Sequence, residues 1–229
     1  MGKASRTKRE RREAPPAPIQ PPTRTIPVFW LTLAVIIVGG LATLVLTRPN
    51  EQDRAIDTAA KRVPAYAQVT TTGASLPTWD GTGTDRAVGR TVPELRGTTF
   101  EGFHRTYAPG DATARVYVVV AHWCPHCRKE VPLLAEWADA HPTVRGVEFV
   151  TLSTAVSQDQ PNFPPAAWLQ REHWPWDVLI DDEVGTGAAA LGVEGFPYLV
   201  FVDKDGIVQR RFSGEMPIDE FDAAVAALG

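Results

Sequence analysis

Chemistry in this 229-residue chain concentrates in Ala121-His122-Trp123-Cys124-Pro125-His126-Cys127-Arg128-Lys129-Glu130, which holds the only two cysteines. Two sulfurs with two residues between them lie one helical turn apart, close enough to cycle between dithiol and disulfide. Pro125 suits the first position of a helix and puts Cys124 near the N-cap, where free backbone N–H groups and the positive end of the helix dipole favour a thiolate. Each pKa unit of lowering corresponds to about 1.4 kcal/mol, and stabilising the reduced form makes the disulfide a stronger oxidant. His126 adds a donor or a positive charge if its ring turns toward Cys124. Cys127, one turn further in, is expected to be more buried, with a higher pKa. Cys124 then acts as nucleophile and Cys127 as the resolving thiol.

Two other uses of these residues compete. A purely stabilising bridge across so short a loop contributes only about 2 kcal/mol in the chain-entropy view, less than a long-range bridge. Copper or zinc is the stronger rival, because His122, Cys124, His126 and Cys127 offer four ligands. An extended 122–124 segment followed by a helix from Pro125 would, however, turn His126 away from the His122 and Cys124 side. No metal site is therefore assigned. Asp181-Asp182-Glu183 reads as capping of a following helix, and Asp203-Lys204-Asp205-Gly206 as a hairpin turn lacking the later acids of a calcium loop.

The elements that must position the cysteines are legible as alternating strands and helices. Val116 to Ala121 is a β-branched and aromatic run suited to a strand buried on both faces. Pro125 to Ala140 places Val131, Leu134, Ala135 and Ala138 on one helical face. Further strands are expected at Val147 to Leu152, Asp177 to Ile180, Tyr198 to Val202 and Ile207 to Phe212. Helices are expected at Pro165 to His173, Gly187 to Leu191 and Pro217 to Leu228. Trp168, Trp174, Trp176 and Phe163 read as core packing. The class is α/β with a mixed central sheet flanked by helices.

Ahead of that domain the charge is uneven. Residues 1–24 carry seven basic and two acidic side chains, for +5, whereas residues 25–229 carry 16 and 25, for −9. A nucleic-acid partner is excluded for the main domain, which lacks the cationic surface that phosphates require. Residues 25–47 contain no charge and are long enough to cross a hydrocarbon core of about 30 Å, so one transmembrane helix in the lipid bilayer is expected. The basic residues before it place the N-terminus in the cytoplasm and everything after Arg48 outside. Cleavage as a signal peptide is the competing reading; the nearest small-x-small pattern, Ala65-Tyr66-Ala67, lies too far beyond the span. Residues 1–24 are expected to be a disordered tail. Residues 48–85, polar and with little apolar periodicity, are expected to be a flexible tether with a reach of order 35 Å, with a short helix over Glu51 to Arg62 allowed by composition alone.

Trp123-Cys124-Pro125-His126-Cys127 after a buried strand, with Val193-Glu194-Gly195-Phe196-Pro197 some 70 residues later, resembles the thioredoxin fold. Val92-Pro93-Glu94-Leu95, Cys127-Arg128-Lys129-Glu130-Val131-Pro132 and Gly195-Phe196-Pro197 narrow this to membrane-anchored TlpA-like and ResA-like thiol-disulfide oxidoreductases, over residues 86–229. The resemblance implies that Pro197 is a cis-proline facing the cysteines and that Phe196, with Gly195 and Trp123, meets a substrate strand. It also implies disulfide exchange with exported client proteins, as an oxidant or as a reductant in cytochrome c maturation, with a membrane redox protein to recharge the site and no bound cofactor. A tethered copper-handling or redox-inert binding module is the alternative. Two features depart from the family pattern. The buried acid usual six residues before the first cysteine is Val118 here, leaving Glu130 as the nearest proton acceptor, unless it is simply a solvated first-turn acid. The Pro125-His126 dipeptide resembles the strongly oxidising DsbA-type site.

Overall fold

The computed structural model describes residues 28–46 and 51–229, and the chain divides into two units, Met1–Arg48 and Pro49–Gly229. In the first unit α1 (Val28–Leu46) is helical, with side chains described over residues 30–40. Among the described residues no helix is long and apolar enough to cross a membrane. The expected tail, residues 1–24, and residues 25–27 and 47 of the expected span lie outside the described residues.

The second unit is built on a five-stranded mixed sheet. Its strands are β4 (Ala114–Val120), β5 (Val147–Ser153), β6 (Asp177–Ile180), β7 (Tyr198–Val202) and β8 (Val208–Ser213), in the order β6-β5-β4-β7-β8. β5 runs parallel to β4 and β6, whereas β7 is antiparallel to β4 and β8. All seven residues of central β4 are buried, as its unbroken apolar run requires. Alternation sends Val116, Val118 and Val120 to one face with Cys127, Val131, Leu134 and Phe221, and Tyr117 and Val119 to the other with Leu95, Leu152, Leu179 and Leu191. At about 1.5–3 kcal/mol per fully buried large apolar side chain, this two-sided packing fixes the plane from which the cysteines project.

Helices α3 (Pro125–Ala140), α4 (Pro165–Arg171), α5 (Thr186–Ala190) and α6 (Ile218–Ala226) complete the expected order. Trp137 of α3 meets Phe221 of α6 edge-on at 4.9 Å, while Phe149 of β5 stacks on Trp176 at 4.4 Å, so these aromatics serve as core. The acid cluster caps as expected. Asp181 accepts from the N–H groups of Gly187 and Ala188 at 2.8 and 3.1 Å, and Asp182 from that of Thr186 at 2.8 Å. Asp203 likewise closes its turn, accepting from the N–H groups of Asp205 and Ile207, both at 2.9 Å.

The expected tether is overturned from residue 51 onward. Residues 51–85 carry α2 (Glu51–Ala60) and β1 (Thr70–Thr72), and β1 joins β2 (Glu94–Thr98) and β3 (His104–Tyr107) in a second, antiparallel sheet. Ile56 and Ala60 pack on Ala166 and Ala167 of α4, and Val69 and Leu76 are buried. Arg211 of β8 ties the segment down. Its guanidinium, buried and ion-paired to Asp85, also donates to the carbonyls of Pro77 at 2.9 Å and Leu191 at 3.1 Å. Gly192, at φ +72°, lies so close that a Cβ there would sit 2.5 Å from the Pro77 carbonyl oxygen. Isolated apolar anchors joined to distant partners leave no period in the sequence, which is why this segment reads as coil.

Candidate active site

Strand β4 ends beneath a short turn in which the Cys124 N–H donates to the Ala121 carbonyl at 3.0 Å. Cys124 is the N-cap of α3, at φ −66° and ψ 123°, and Pro125 opens the helix, as its fixed φ and missing N–H favour. Facing it across the start of β7, the Phe196–Pro197 peptide is cis, and the Cys124 Sγ lies 3.4 Å from the Phe196 carbonyl oxygen as its hydrogen-bond donor. Two motifs 72 residues apart thus meet at one sulfur. Trp123 stands edge-on to Phe196, ring centres 6.2 Å apart, and its indole N–H donates to the Ala155 carbonyl at 2.6 Å. Gly195 adjoins Ser213, whose Oγ would lie 3.2 Å from an added Cβ. Cys124 keeps 6% of its surface exposed and Cys127 none.

His126 does not spend its ring on the sulfur. Its Nδ1 lies 2.6 Å from Glu215 Oε1, which also accepts from Lys129 Nζ at 3.2 Å. These two partners hold the Glu215 carboxyl below its ordinary range. Glu215, in the turn between β8 and α6, has no counterpart in the sequence reading. It is 89 residues from His126, and no motif marks it.

Behind the Cys124 sulfur the surroundings are dry. Burial pushes the Cys127 thiol well up; a backbone hydrogen bond at Ala121 opposes the shift, and the neighbouring Cys124 and Glu130 charges add to it. Glu130 sits one helical turn on and is only 2% exposed, which excludes the solvated first-turn reading. Burial raises its carboxyl to about 7, Glu215 adding to the rise while the Met216 N–H, 3.2 Å from Oε1, works against it. Val118, at the position where the family pattern has an acid, is part of the apolar cluster around Cys127.

The metal alternative loses a ligand. His122 Nε2 accepts from the Ser157 N–H at 3.1 Å, so the proton sits on Nδ1, which donates to the Pro161 carbonyl at 2.7 Å. Both ring nitrogens are therefore committed, and burial lowers the pKa, favouring the neutral ring, against the Pro161 bond. Among the described residues no three His, Cys, Asp or Glu side chains are grouped to hold a metal ion.

A family model described as a thioredoxin-like domain matches residues 106–229. The chain belongs to this thioredoxin-like family. It is similar to the thiol:disulfide interchange protein DsbE of Pseudomonas aeruginosa, 32% identical over 40% of this chain and 46% of that protein. It is also similar to that of Pseudomonas fluorescens biotype C, 28% identical over 56% of this chain and 68% of the relative. The chain thus spans about half to two thirds of the length of these curated relatives. Among solved structures, a thiol:disulfide interchange protein of the thioredoxin family from Chlorobium tepidum superposes with a TM-score of 0.51 at 21% identity, covering 64% of this chain and 99% of that one, which supports the fold.

Proposed function

We propose that this thioredoxin-like protein exchanges dithiol for disulfide with exported client proteins. The observation that carries the reading is the pairing of an N-cap sulfur, Cys124, against the Phe196 carbonyl beside Pro197, with a buried second sulfur one turn behind it. The names of the Pseudomonas relatives support the same chemistry.

In the reducing direction the Cys124 thiolate attacks a client disulfide, forming a mixed disulfide and releasing one client thiolate. Ionised Glu130 then takes the Cys127 proton. The Cys127 thiolate attacks Cys124 Sγ, closing the internal disulfide and releasing the second client thiolate, so that two electrons pass to the client. A carboxyl poised near neutral pH suits that proton transfer. The oxidising direction retraces these steps. Phe196 and Trp123 offer the client a backbone acceptor and an aromatic wall, with Gly195 leaving room between them. No bound cofactor enters.

We further propose that residues 25–47 anchor the chain in the membrane, with the folded unit outside the cytoplasm and a membrane redox protein recharging Cys124 and Cys127. The direction of flow, including reductant service in cytochrome c maturation, is set by that partner.

The test is trapping. Cys127→Ser is expected to accumulate a mixed disulfide with a client at Cys124, and Cys124→Ser to abolish exchange. A Cys127→Ser protein that captures no client, together with unchanged turnover in Cys124→Ser, would refute the reading.

A further inference from the structure

The arm that precedes the family's domain is fastened to the loop that steers the active-site tryptophan. In the loop of residues 154–157, after β5, the Thr154 N–H donates to the Val120 carbonyl at 3.1 Å, and its Oγ1 donates to the buried carboxylate of Asp181 at 2.7 Å. Ala155 follows at φ +48°, a left-handed conformation that costs a non-glycine residue energy and persists only where neighbours enforce it. The neighbours here are specific. The Ala155 carbonyl receives the Trp123 indole N–H at 2.6 Å, the Val156 carbonyl receives the Tyr66 hydroxyl at 2.8 Å, and the Ser157 N–H donates to His122 at 3.1 Å.

Tyr66 therefore holds the carbonyl adjacent to the one that holds Trp123. Its own position is fixed from both sides. Upstream, Ile56 and Ala60 pack on α4, and Asp57 pairs with Arg171 at 2.6 Å. Downstream, the Ala67 N–H donates to the backbone carbonyl of Asp181 at 3.2 Å, the same residue whose carboxylate receives Thr154. The family match begins at residue 106, so Tyr66 lies outside the matched residues.

We propose that Tyr66 is a positioning residue for client exchange: through the 155–156 carbonyls it sets the orientation of the Trp123 wall beside Cys124. The inference rests on the exchange reading above and adds a part to its site from outside the thioredoxin-like segment.

A double-mutant cycle tests it in the full-length reduced protein, with a disulfide-bonded peptide as probe and the rate constant of mixed-disulfide formation as readout. Tyr66→Phe keeps the ring and removes only the hydroxyl. It is expected to slow exchange about three- to tenfold, the size of one ordinary hydrogen bond. In a Trp123→Phe background the same substitution is expected to change the rate less than about twofold, because the reporter of its effect is gone. The Trp123 indole N–H resonance, assigned by its loss in Trp123→Phe, is expected to move in Tyr66→Phe. An equal slowing in both backgrounds, or none in either with the resonance unmoved, would overturn the positioning role while leaving exchange intact. A wild type with no more exchange than Cys124→Ser would instead overturn the exchange reading, and the positioning role with it.

Discussion

Replacing Glu130 with Gln separates the cost of burying a charge from the use of that charge. The carboxyl is 2% exposed, receives one backbone N–H and has no ion-pair partner among the described residues. Its pKa is moved by burial from the ordinary 4.5 up to about 7. In the unfolded chain the group ionises from about pH 4.5, whereas the folded state holds its proton to about 7. The unfolded state therefore binds fewer protons across that window, and stability falls as pH rises through it. Above neutrality the accumulated loss is about 3 kcal/mol, at about 1.36 kcal/mol per pKa unit. Gln keeps an oxygen for the Met216 N–H and carries no charge. Urea unfolding of the two reduced proteins at pH 4 and pH 9, followed by tryptophan fluorescence, is expected to show them within about 1 kcal/mol at the acid end. At pH 9 Glu130→Gln is expected to be the more stable by up to about 3 kcal/mol. Resolution of the mixed disulfide by Cys127 is expected to slow by about 100-fold or more, the usual yield of a positioned base, and to lose its inflection near pH 7. A stability difference that does not change with pH, or a resolution rate untouched by the substitution, would refute both the burial cost and the base role.

Three further outcomes concern the fastening of residues 76–87. Arg211→Ala strands the Asp85 carboxylate and two carbonyls, and is expected to cost about 3–5 kcal/mol in urea unfolding at pH 7. Burial pushes the Asp85 carboxyl up, but hydrogen bonds from Arg211 and the Ala87 N–H outweigh it and leave it below the ordinary 3.8. The contribution is thus present at neutral pH and fades as pH falls below about 4, where Asp85→Asn and wild type should converge. Gly192→Ala drives a methyl against the Pro77 carbonyl and the Arg211 guanidinium at a positive φ, and is expected to lower the urea midpoint by the equivalent of about 2 kcal/mol or more.

The sheet and the helices after residue 114 are legible because each element carries its own period. β4 is uniformly apolar, and α3 repeats Val131, Leu134 and Ala138 behind a proline that marks its start. The cysteines and Pro197 are legible because a short motif contains each of them. What escapes the sequence is what depends on contact between distant segments. Glu130 reads in the sequence either as the nearest proton acceptor or as a solvated first-turn acid, and only the turn before α6, which covers it, decides between the two. Glu215 finds His126 only across that turn, and Tyr66 finds Val156 across 90 residues. Residues 51–85 fail for a related reason: their order comes from Arg211 and α4, and their own composition is that of a linker.

The Glu215–Met216 dipeptide grips the first turns of α3 from two directions, its carboxylate on His126 outside and its amide on Glu130 inside. One lever therefore bears two loads. The Met216 N–H works against the burial that raises Glu130 and Glu215 adds to the rise, so the dipeptide that makes the surface ion pair also sets the proton affinity of the buried acid.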